Sequence, residues 1–493
     1  MSWWRRWKSG ADGDRIPAAQ QRREEKPAEA ASPGEPSRQR IRERAKRRLL
    51  GARTRRLFLQ AGLPWGAAIL VGLVSVFYAD ASTKASNAFL GWIAGRSWLA
   101  FVITPSLSVL ALFLTRRWFT GSEGSGIPQV IAALHATRTE ESTLMRRLFG
   151  LRVVVGKIVV SLIGLLGGLT IGREGPTVHI GAALMAEIRH FYPHRNAQLE
   201  RRLLLAGAAA GLSAAFNTPL AGIIFAIEEL ARDFESRTNG IMITAVVFSG
   251  LTSLALAGNY LYFGQIYVPE NLGAAFVLPV ACSAVLCGLL GAAFNLALLK
   301  WRTWMPDWLI ALRARWPLLY ALAIGIVVAG LGVGTHGETW GSGYEQARHL
   351  LTGSAPLSEA YAATKWCAMV MTYMVGIPGG LFSPSLSIGA GLAQWVHAAF
   401  AWAPMAAVIA LCMAGYLAAV TQSPITSFVI VMEMTNGTGM VIPMMATALV
   451  ASRISGAFTP PLYEALAKSN YFHVGALPTG GFLQKKPVPP PGA

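Results

Sequence analysis

The feature that most constrains this chain is a long stretch that is almost free of charge. Between Lys365 and Arg453 lie 87 residues, of which only Glu433 is an Asp, Glu, Lys or Arg. Such a stretch cannot form a water-exposed surface, because soluble surfaces are rich in charged side chains. Over all 493 residues only 14% are charged, against about 25% in soluble domains. The sequence therefore predicts a chain that lies in lipid or against other membrane segments.

Apolar runs recur along the chain without a soluble interval. They lie at 57–79, 98–115, 151–170, 240–269, 271–299, 317–335 and 434–452. Such runs predict transmembrane α-helices, because a helix satisfies its own backbone hydrogen bonds inside lipid. Segments 172–189, 203–230 and 376–392 are instead broken by Gly and Pro, as in helices that line a polar path. We therefore predict an all-α polytopic membrane protein, with a transport domain at 57–474 and a disordered Pro- and Gly-rich tail at 475–493.

The N-terminal segment carries more than half of the net charge of +18. Residues 1–57 hold 17 Lys or Arg against 7 Asp or Glu. A basic segment before a first membrane span fits the positive-inside rule, so we predict a cytoplasmic N-terminus that faces lipid headgroups. Nucleic-acid binding is the alternative for such a segment, but we expect no nucleic-acid partner. We predict that residues 1–56 are disordered.

Comparison of the chain with itself shows an internal repeat. Segment 172–184 aligns with 380–392, with six identities at an offset of 208 residues. Gly-Ser-Gly at 124–126 recurs at 341–343, and 219–228 resembles 424–433. Two diverged copies, at about 57–270 and 273–474, predict a transporter with its site at the interface of the repeats. Identity alone does not tell whether the copies are inverted.

Three Gly-rich segments stand immediately before apolar helices. They are Gly-Ser-Gly-Ile-Pro at 124–128, Gly-Arg-Glu-Gly-Pro at 172–176 and Gly-Gly-Leu-Phe-Ser-Pro at 379–384. Proline near the first turn supports a helix start at each. A helix start inside a membrane exposes unpaired N–H groups, for which an anion is the natural partner. Close-packing glycines are the alternative for each segment alone, but the repeat favours a shared anion site.

Four carboxylates in apolar surroundings are candidate functional groups. Glu174 stands at a helix start, where its ionised carboxylate could itself fill the anion position and leave when it is protonated. The alternative is that Glu174 is an N-terminal helix cap. Glu228 and Glu229 end an apolar run, and acids in a membrane are costly enough to suggest function. A salt bridge to Arg232 is the alternative there. Glu433 echoes Glu228, and we expect hydrogen bonds to hold it.

The three Gly-rich segments, their order, and Phe-Asn-Thr-Pro-Leu-Ala-Gly at 216–222 resemble the motifs of the CLC family of chloride channels and chloride/proton antiporters. The resemblance covers about 57–470 and is to the prokaryotic type, without C-terminal regulatory domains. It implies an inverted repeat whose broken helices meet at a central anion site. It also implies a homodimer in membrane lipid. Chloride would be bound, with no other cofactor and no metal. The protein would be a multi-pass protein of the plasma membrane, which is the inner membrane of a bacterium.

The same resemblance implies roles for individual residues. Glu174 matches the external gating glutamate and Glu229 the internal proton glutamate, which favours an antiporter of chloride and protons over a passive voltage- or pH-gated channel. Ser125 and Tyr463 would offer hydroxyl groups to chloride. Backbone N–H groups would come from Leu381 and Phe382. The backbone beside the anion path would include Gly126, Ile127, Gly172, Arg173 and Gly175.

Other chemistry finds less support in the sequence. Residues 332–337 match G-x-G-x-x-G, but they follow an apolar helix rather than a strand. Ser125 has no partner base that the sequence reveals, so we expect no enzymatic activity. Gln129 and Ile131 stand where bacterial relatives often carry acids, which leaves the route of proton access open.

Overall fold

A computed structural model describes residues 62–136, 144–192, 197–231, 239–258, 261–267, 272–354 and 357–471. The predictions made for 1–56, for 475–493 and for Arg232 concern residues outside these ranges. Within them the chain forms helices and no strand. The helices are α1 (Leu63–Ile93), α2 (Ala100–Arg117), α3 (Ile127–His135), α4 (Leu151–Leu166), α5 (Glu174–Glu187), α6 (Ala197–Phe216), α7 (Pro219–Phe225), α8 (Asn239–Ala257), α9 (Val277–Leu299), α10 (Trp301–Trp304), α11 (Asp307–Arg315), α12 (Pro317–Gly334), α13 (Tyr344–Thr352), α14 (Tyr361–Val375), α15 (Phe382–Ala399), α16 (Met405–Thr421), α17 (Pro424–Thr435), α18 (Val441–Phe458) and α19 (Leu462–Tyr471).

The longest helices present apolar side chains on their outer faces. Seven helical segments in the described ranges are long and apolar enough to cross a membrane, among them α1, α9 and α12. Phe77, Val277 and Ile442 on these outer helices are exposed, as expected of side chains that contact lipid rather than water. The prediction of a polytopic α-helical membrane protein is confirmed.

A second set of helices is buried inside the protein. Helix α5 is buried from Glu174 to Ala186 and α16 from Ala407 to Thr421. Helix α5 packs against α6, and α15 against α16. A Cβ atom on Gly389 would lie 2.6 Å from the carbonyl oxygen of Cys412, so glycine is needed for α15 and α16 to approach so closely. Gly389 lies outside the three Gly-rich segments, so this contact concerns helix packing and not the helix starts.

Several helices are too short to cross a bilayer. Helices α3 and α13 have nine residues each and α7 has seven, against about 20 for a membrane span. Gly126 and Gly343, directly before α3 and α13, have φ angles of 103° and 82°, which glycine adopts without strain. Helices α3, α5 and α15 begin within the three Gly-rich segments. The predicted helix starts are confirmed.

The two copies of the repeat share one order of helices. Helices α2 and α12 begin 217 residues apart, as do α3 and α13, and α5 and α15 begin 208 residues apart, as do α6 and α16. Packing is also repeated, because α1 contacts α8 in the first copy and α9 contacts α18 in the second. The internal repeat is therefore a repeat of structure as well as of sequence.

Backbone contacts between the two copies are reciprocal. The amide of Gly172 donates to the carbonyl of Gly380 at 2.8 Å, and the amide of Gly380 donates to the carbonyl of Gly172 at 2.7 Å. These residues occupy equivalent positions in the repeat. A rotation that exchanges two equivalent units produces such mutual contacts. The copies are thus related by a local two-fold axis that passes between these glycines.

Two glutamates make a second reciprocal contact. Glu228 accepts hydrogen bonds from two amides in the first turn of α17, at 3.0 and 2.6 Å. Glu433 accepts from two amides in the first turn of α7, at 3.1 and 2.7 Å. A carboxylate at a helix start stabilises it by about 1 kcal/mol. The expectation that hydrogen bonds hold Glu433 is confirmed, and Glu228 has the same structural role in the other copy.

Candidate functional site

The three Gly-rich segments meet at one place. The amide of Gly379 donates to the carbonyl of Gly124 at 3.2 Å, and the amide of Gly124 donates to the carbonyl of Ile377 at 3.1 Å. The third segment also bonds to the second through the reciprocal pair of Gly172 and Gly380. Helices α3, α5 and α15 therefore begin close together, although their segments are far apart in sequence. Their positive ends converge on a common volume.

Glycines leave room for the side chain of Ser125 in this volume. A Cβ atom on Gly175 would overlap the hydroxyl of Ser125, and one on Gly126 would lie 3.0 Å from the carbonyl oxygen of Gly175. Ile127, the first residue of α3, is fully buried. Larger residues at 126 or 175 would separate α3 from α5 and fill the space beside the hydroxyl.

The hydroxyl groups of Ser125 and Tyr463 lie side by side. Both are buried, and neither has the geometry of a hydrogen bond to any described residue. The ring of Tyr463 stacks on that of Phe382, with 6.2 Å between centroids and 21° between planes. Phe382 begins α15 directly after Leu381, where helix amides lack carbonyl partners. Two free hydroxyls beside a helix start are the donors that a dehydrated anion requires.

The carboxylate of Glu174 is fully buried at the start of α15. Its Oε1 accepts from the hydroxyl of Ser383 at 2.5 Å and from the hydroxyl of Tyr262 at 3.3 Å, and its Oε2 accepts from the amide of Ser383 at 3.4 Å. Arg173 Nε lies 3.9 Å from Oε1. Ser383 belongs to α15 and Tyr262 to the segment after α8, so these donors do not belong to α5, which Glu174 begins, and the carboxylate is not a cap of its own helix. It stands where an anion would bind at the start of α15.

A cavity of about 60 Å³ lies beside Arg173 and Tyr262, both of which contact Glu174. Its lining includes Arg173, Tyr262 and Tyr344. Arg173 Nη1 donates to the carbonyl of Ala79 at 2.8 Å, which holds the guanidinium group at the cavity wall. This positive charge faces the cavity together with the carboxylate of Glu345 from α13.

Glu229 lies on a π-helical turn, Ala226–Ala231, that continues α7. Only 2% of its surface is exposed. Its Oε2 accepts a hydrogen bond from the hydroxyl of Ser423, the residue before α17. Tyr463 lies within electrostatic range of both Glu229 and Glu174. The charges of both acids therefore act on this tyrosine, and π turns are frequent at functional sites.

Two buried lysines hold the turns of the site, and the sequence analysis missed them. Lys157 Nζ donates to the carbonyl of Gly124 at 2.7 Å, and Lys365 Nζ donates to those of Thr339 at 2.8 Å and Gly341 at 2.9 Å. The lysines are 208 residues apart, the offset of the repeat. Self-comparison extended upstream of 172 would have found them.

Tyr262 was missed because it lies in an apolar run, 240–269, that predicts one membrane helix. That prediction is wrong for the last part of the run. Helix α8 ends at Ala257, and residues 261–267 are not helical. Gly258 and Gly264 have φ angles of 81° and 91°, and the amide of Phe263 donates to the carbonyl of Met434 at 3.2 Å. These contacts turn the chain back towards Glu174.

Comparisons with known proteins agree with this arrangement. The sequence model of the family described as voltage gated chloride channel matches residues 107–456. The H(+)/Cl(-) exchange transporter ClcA of Salmonella arizonae is 31% identical over 419 residues, which are 80% of this chain and 85% of that protein. The crystal structure of a slow cyanobacterial Cl-/H+ antiporter superposes with a TM-score of 0.69 at 22% identity, over 83% of this chain and 97% of that one. A CLC-type fluoride/proton antiporter superposes with a TM-score of 0.66 at 20% identity, over 82% of this chain and 96% of that one. The converging broken helices, the two-fold repeat and these matches together show that the chain belongs to the voltage gated chloride channel (CLC) family and has its inverted-repeat fold.

Proposed function

We propose that this protein is an antiporter that moves chloride across the membrane in exchange for protons. The observation that carries the proposal is a pair of buried acids on two separate elements. Glu174 occupies the start of α15, Glu229 lies on the π-helical turn after α7, and the charges of both act on Tyr463. A passive channel needs no buried internal acid, whereas an exchanger must bind protons close to the anion. Relatives named as H(+)/Cl(-) exchange transporters support the same conclusion.

Chloride in this proposal is bound by donors that the protein leaves free. Ser125 and Tyr463 supply hydroxyl groups, and Leu381 and Phe382 supply backbone N–H groups. The path past this position is bordered by the backbone of Gly126, Ile127, Gly172, Arg173 and Gly175. Chloride and protons are substrates, and we propose no resident cofactor, no metal and no enzymatic activity.

Proton coupling follows from competition at the start of α15. The ionised carboxylate of Glu174 satisfies the helix end and excludes chloride from the same volume. A protonated carboxyl group is neutral and loses that attraction, so it leaves and chloride enters. Protons reach Glu174 from Glu229, which lies on the π-helical turn after α7. Binding of a proton to Glu174 therefore accompanies the entry of chloride, and loss of that proton accompanies the return of the carboxylate to the anion position.

The proposal predicts uphill proton movement driven by chloride alone. Purified protein in vesicles loaded with chloride, in a chloride-poor medium without a pH gradient, should take up protons as chloride leaves. Chloride and pH electrodes would record both fluxes together. Chloride efflux without proton uptake would instead support the passive channel, and no flux of either ion from correctly folded protein would reject transport of chloride.

Removal of either hydroxyl at the anion position should weaken chloride binding modestly. We expect Ser125→Ala and Tyr463→Phe each to lower chloride affinity about three- to tenfold, because one neutral hydrogen bond contributes about 1 kcal/mol and the backbone donors remain. Titration calorimetry on the detergent-solubilised protein measures this change. Tyr416→Phe is the matched control, since Tyr416 is buried with a free hydroxyl elsewhere in the described structure. An affinity equal to that of the unmodified protein would remove these hydroxyls from the site.

We further propose a setting for this transporter. Its relatives are bacterial, so we place it in the inner membrane, with the basic N-terminus in the cytoplasm beside lipid headgroups. We also propose a homodimer with one chloride path in each subunit. Light scattering on the detergent-solubilised protein would establish the number of subunits.

A further inference from the structure

Tyr262 contacts the carboxylate of Glu174 directly. Its hydroxyl lies 3.3 Å from Oε1 of Glu174 and 3.4 Å from the hydroxyl of Ser383. The same tyrosine lines the cavity beside Arg173. It therefore stands between this cavity and the carboxylate at the start of α15.

The position of Tyr262 is fixed by its neighbours. Tyr344 donates a hydrogen bond from its hydroxyl to the carbonyl of Tyr262 at 2.8 Å, and the two rings pack with 4.6 Å between centroids. The ring of Phe216 packs edge to face at 5.4 Å. The guanidinium carbon of Arg173 lies 5.4 Å from the ring centroid of Tyr262. Because these three neighbours hold its ring, Tyr262 presents its hydroxyl to Glu174 without a further loss of side-chain freedom.

The internal repeat gives Tyr262 a counterpart. Tyr262 follows the last residue of α8 by five positions, and Tyr463 follows the last residue of α18 by five positions. Helices α8 and α18 are equivalent in the repeat. Tyr463 places its hydroxyl beside Ser125, whereas Tyr262 places its hydroxyl beside Ser383. The two copies thus contribute one tyrosine and one serine each to the region where the broken helices meet.

We propose that Tyr262 is a positioning residue that holds the ionised carboxylate of Glu174 in the anion position and thereby slows its replacement by chloride. This inference rests on the proposed exchange of chloride for protons. A hydroxyl donor stabilises a carboxylate, whose charge is concentrated on two small oxygens, more than the larger and more diffuse chloride ion. Tyr262 therefore favours the state in which Glu174 blocks the path.

Other titratable or charged groups face Glu174 in different ways. Arg173 lies 3.9 Å from the carboxylate. Tyr78 and Tyr463 lie within electrostatic range, but Tyr78 bonds to Ser161 at 2.6 Å. Among the described residues, only Ser383 and Tyr262 are within hydrogen-bond distance as donors to the carboxylate. Removal of the Tyr262 hydroxyl thus removes one of the few bonds that hold the ionised form.

The test is Tyr262→Phe in the reconstituted full-length protein. We expect the chloride efflux rate to rise about three- to tenfold, because the loss of one hydrogen bond changes an equilibrium by about that factor. The ratio of protons to chloride should stay unchanged. The pH dependence of the efflux rate should change as well, because the ionised carboxylate has lost a donor. Tyr361→Phe is the matched control, since it removes a buried tyrosine hydroxyl that pairs with Ser387 rather than with Glu174.

A double variant shows whether the effect passes through Glu174. In a Glu174→Ala background, Tyr262→Phe should leave the efflux rate unchanged, because no carboxylate remains to be held. If Tyr262→Phe does not fold, Tyr344→Phe removes the bond that fixes Tyr262 and should raise the rate in the same direction by a smaller factor.

Three outcomes would overturn the inference. The first is a rate and pH profile of Tyr262→Phe equal to those of the unmodified protein. The second is an equal acceleration in the Glu174→Ala background. The third is a loss of proton uptake at unchanged chloride efflux, which would make Tyr262 a proton relay. Absence of coupled flux in the unmodified protein would instead reject the proposed exchange itself, so the two failures are distinguishable.

Discussion

Replacement of Glu174 by Gln should abolish coupled proton transport while chloride flux continues and loses its dependence on pH. The amide has nearly the shape of the carboxyl group, but it neither ionises nor carries a proton. It therefore cannot act as the anion at the start of α15 or pass a proton onward. Chloride should still bind, because the helix starts and the hydroxyls of Ser125 and Tyr463 are unchanged. We expect proton uptake to fall to that of protein-free vesicles.

This result requires a control for the change of a buried acid to an amide. Glu433→Gln makes the same chemical change at a carboxylate that caps α7 from the other copy of the repeat, away from the converging helix starts. We expect this control to retain proton uptake, with at most a loss of stability of about 1 kcal/mol. Continued uphill proton transport by Glu174→Gln would refute the gating role of Glu174.

Replacement of Glu229 by Gln should also stop proton transport but leave chloride transport measurable. Glu229 is buried and bonded to Ser423, on an element distinct from the three helix starts that meet at Ser125. Loss of its ionisable group interrupts the supply of protons to Glu174, whereas the donors for chloride remain. A purely structural acid would not separate the two fluxes, because disruption of the fold would affect both ions together.

Glu228, the residue before Glu229, provides the control for Glu229→Gln. Glu228→Gln alters the adjacent acid, whose carboxylate accepts from amides in the first turn of α17, and we expect it to retain proton coupling. Simultaneous recording of chloride and pH in vesicles separates the cases. If Glu229→Gln still moves protons uphill, the proton pathway uses another group, with Glu228 the first candidate. If both fluxes vanish together with folding, Glu229 is structural.

The class of the protein and most of the residues at its centre follow from the amino-acid sequence. A nearly uncharged stretch of 87 residues excluded a soluble fold, and the repeat at an offset of 208 paired Gly172 with Gly380. Helix starts at residues 127, 174 and 382 could be predicted because they depend on local chemistry, namely Gly turns and Pro near the first turn. These signals lie within a few consecutive residues, so they can be recognised without knowing which other segments those residues contact.

Which side chains meet could be seen only once the helices were packed together. Glu228 and Glu229 are adjacent and chemically identical, yet one caps a helix of the other copy and the other lies buried against Ser423. Tyr262 looked like part of an apolar membrane helix until the turns at Gly258 and Gly264 brought it to Glu174. These contacts join residues about 90 to 200 positions apart. Such pairings depend on the packing of whole helices, because local backbone preference acts only on neighbouring residues.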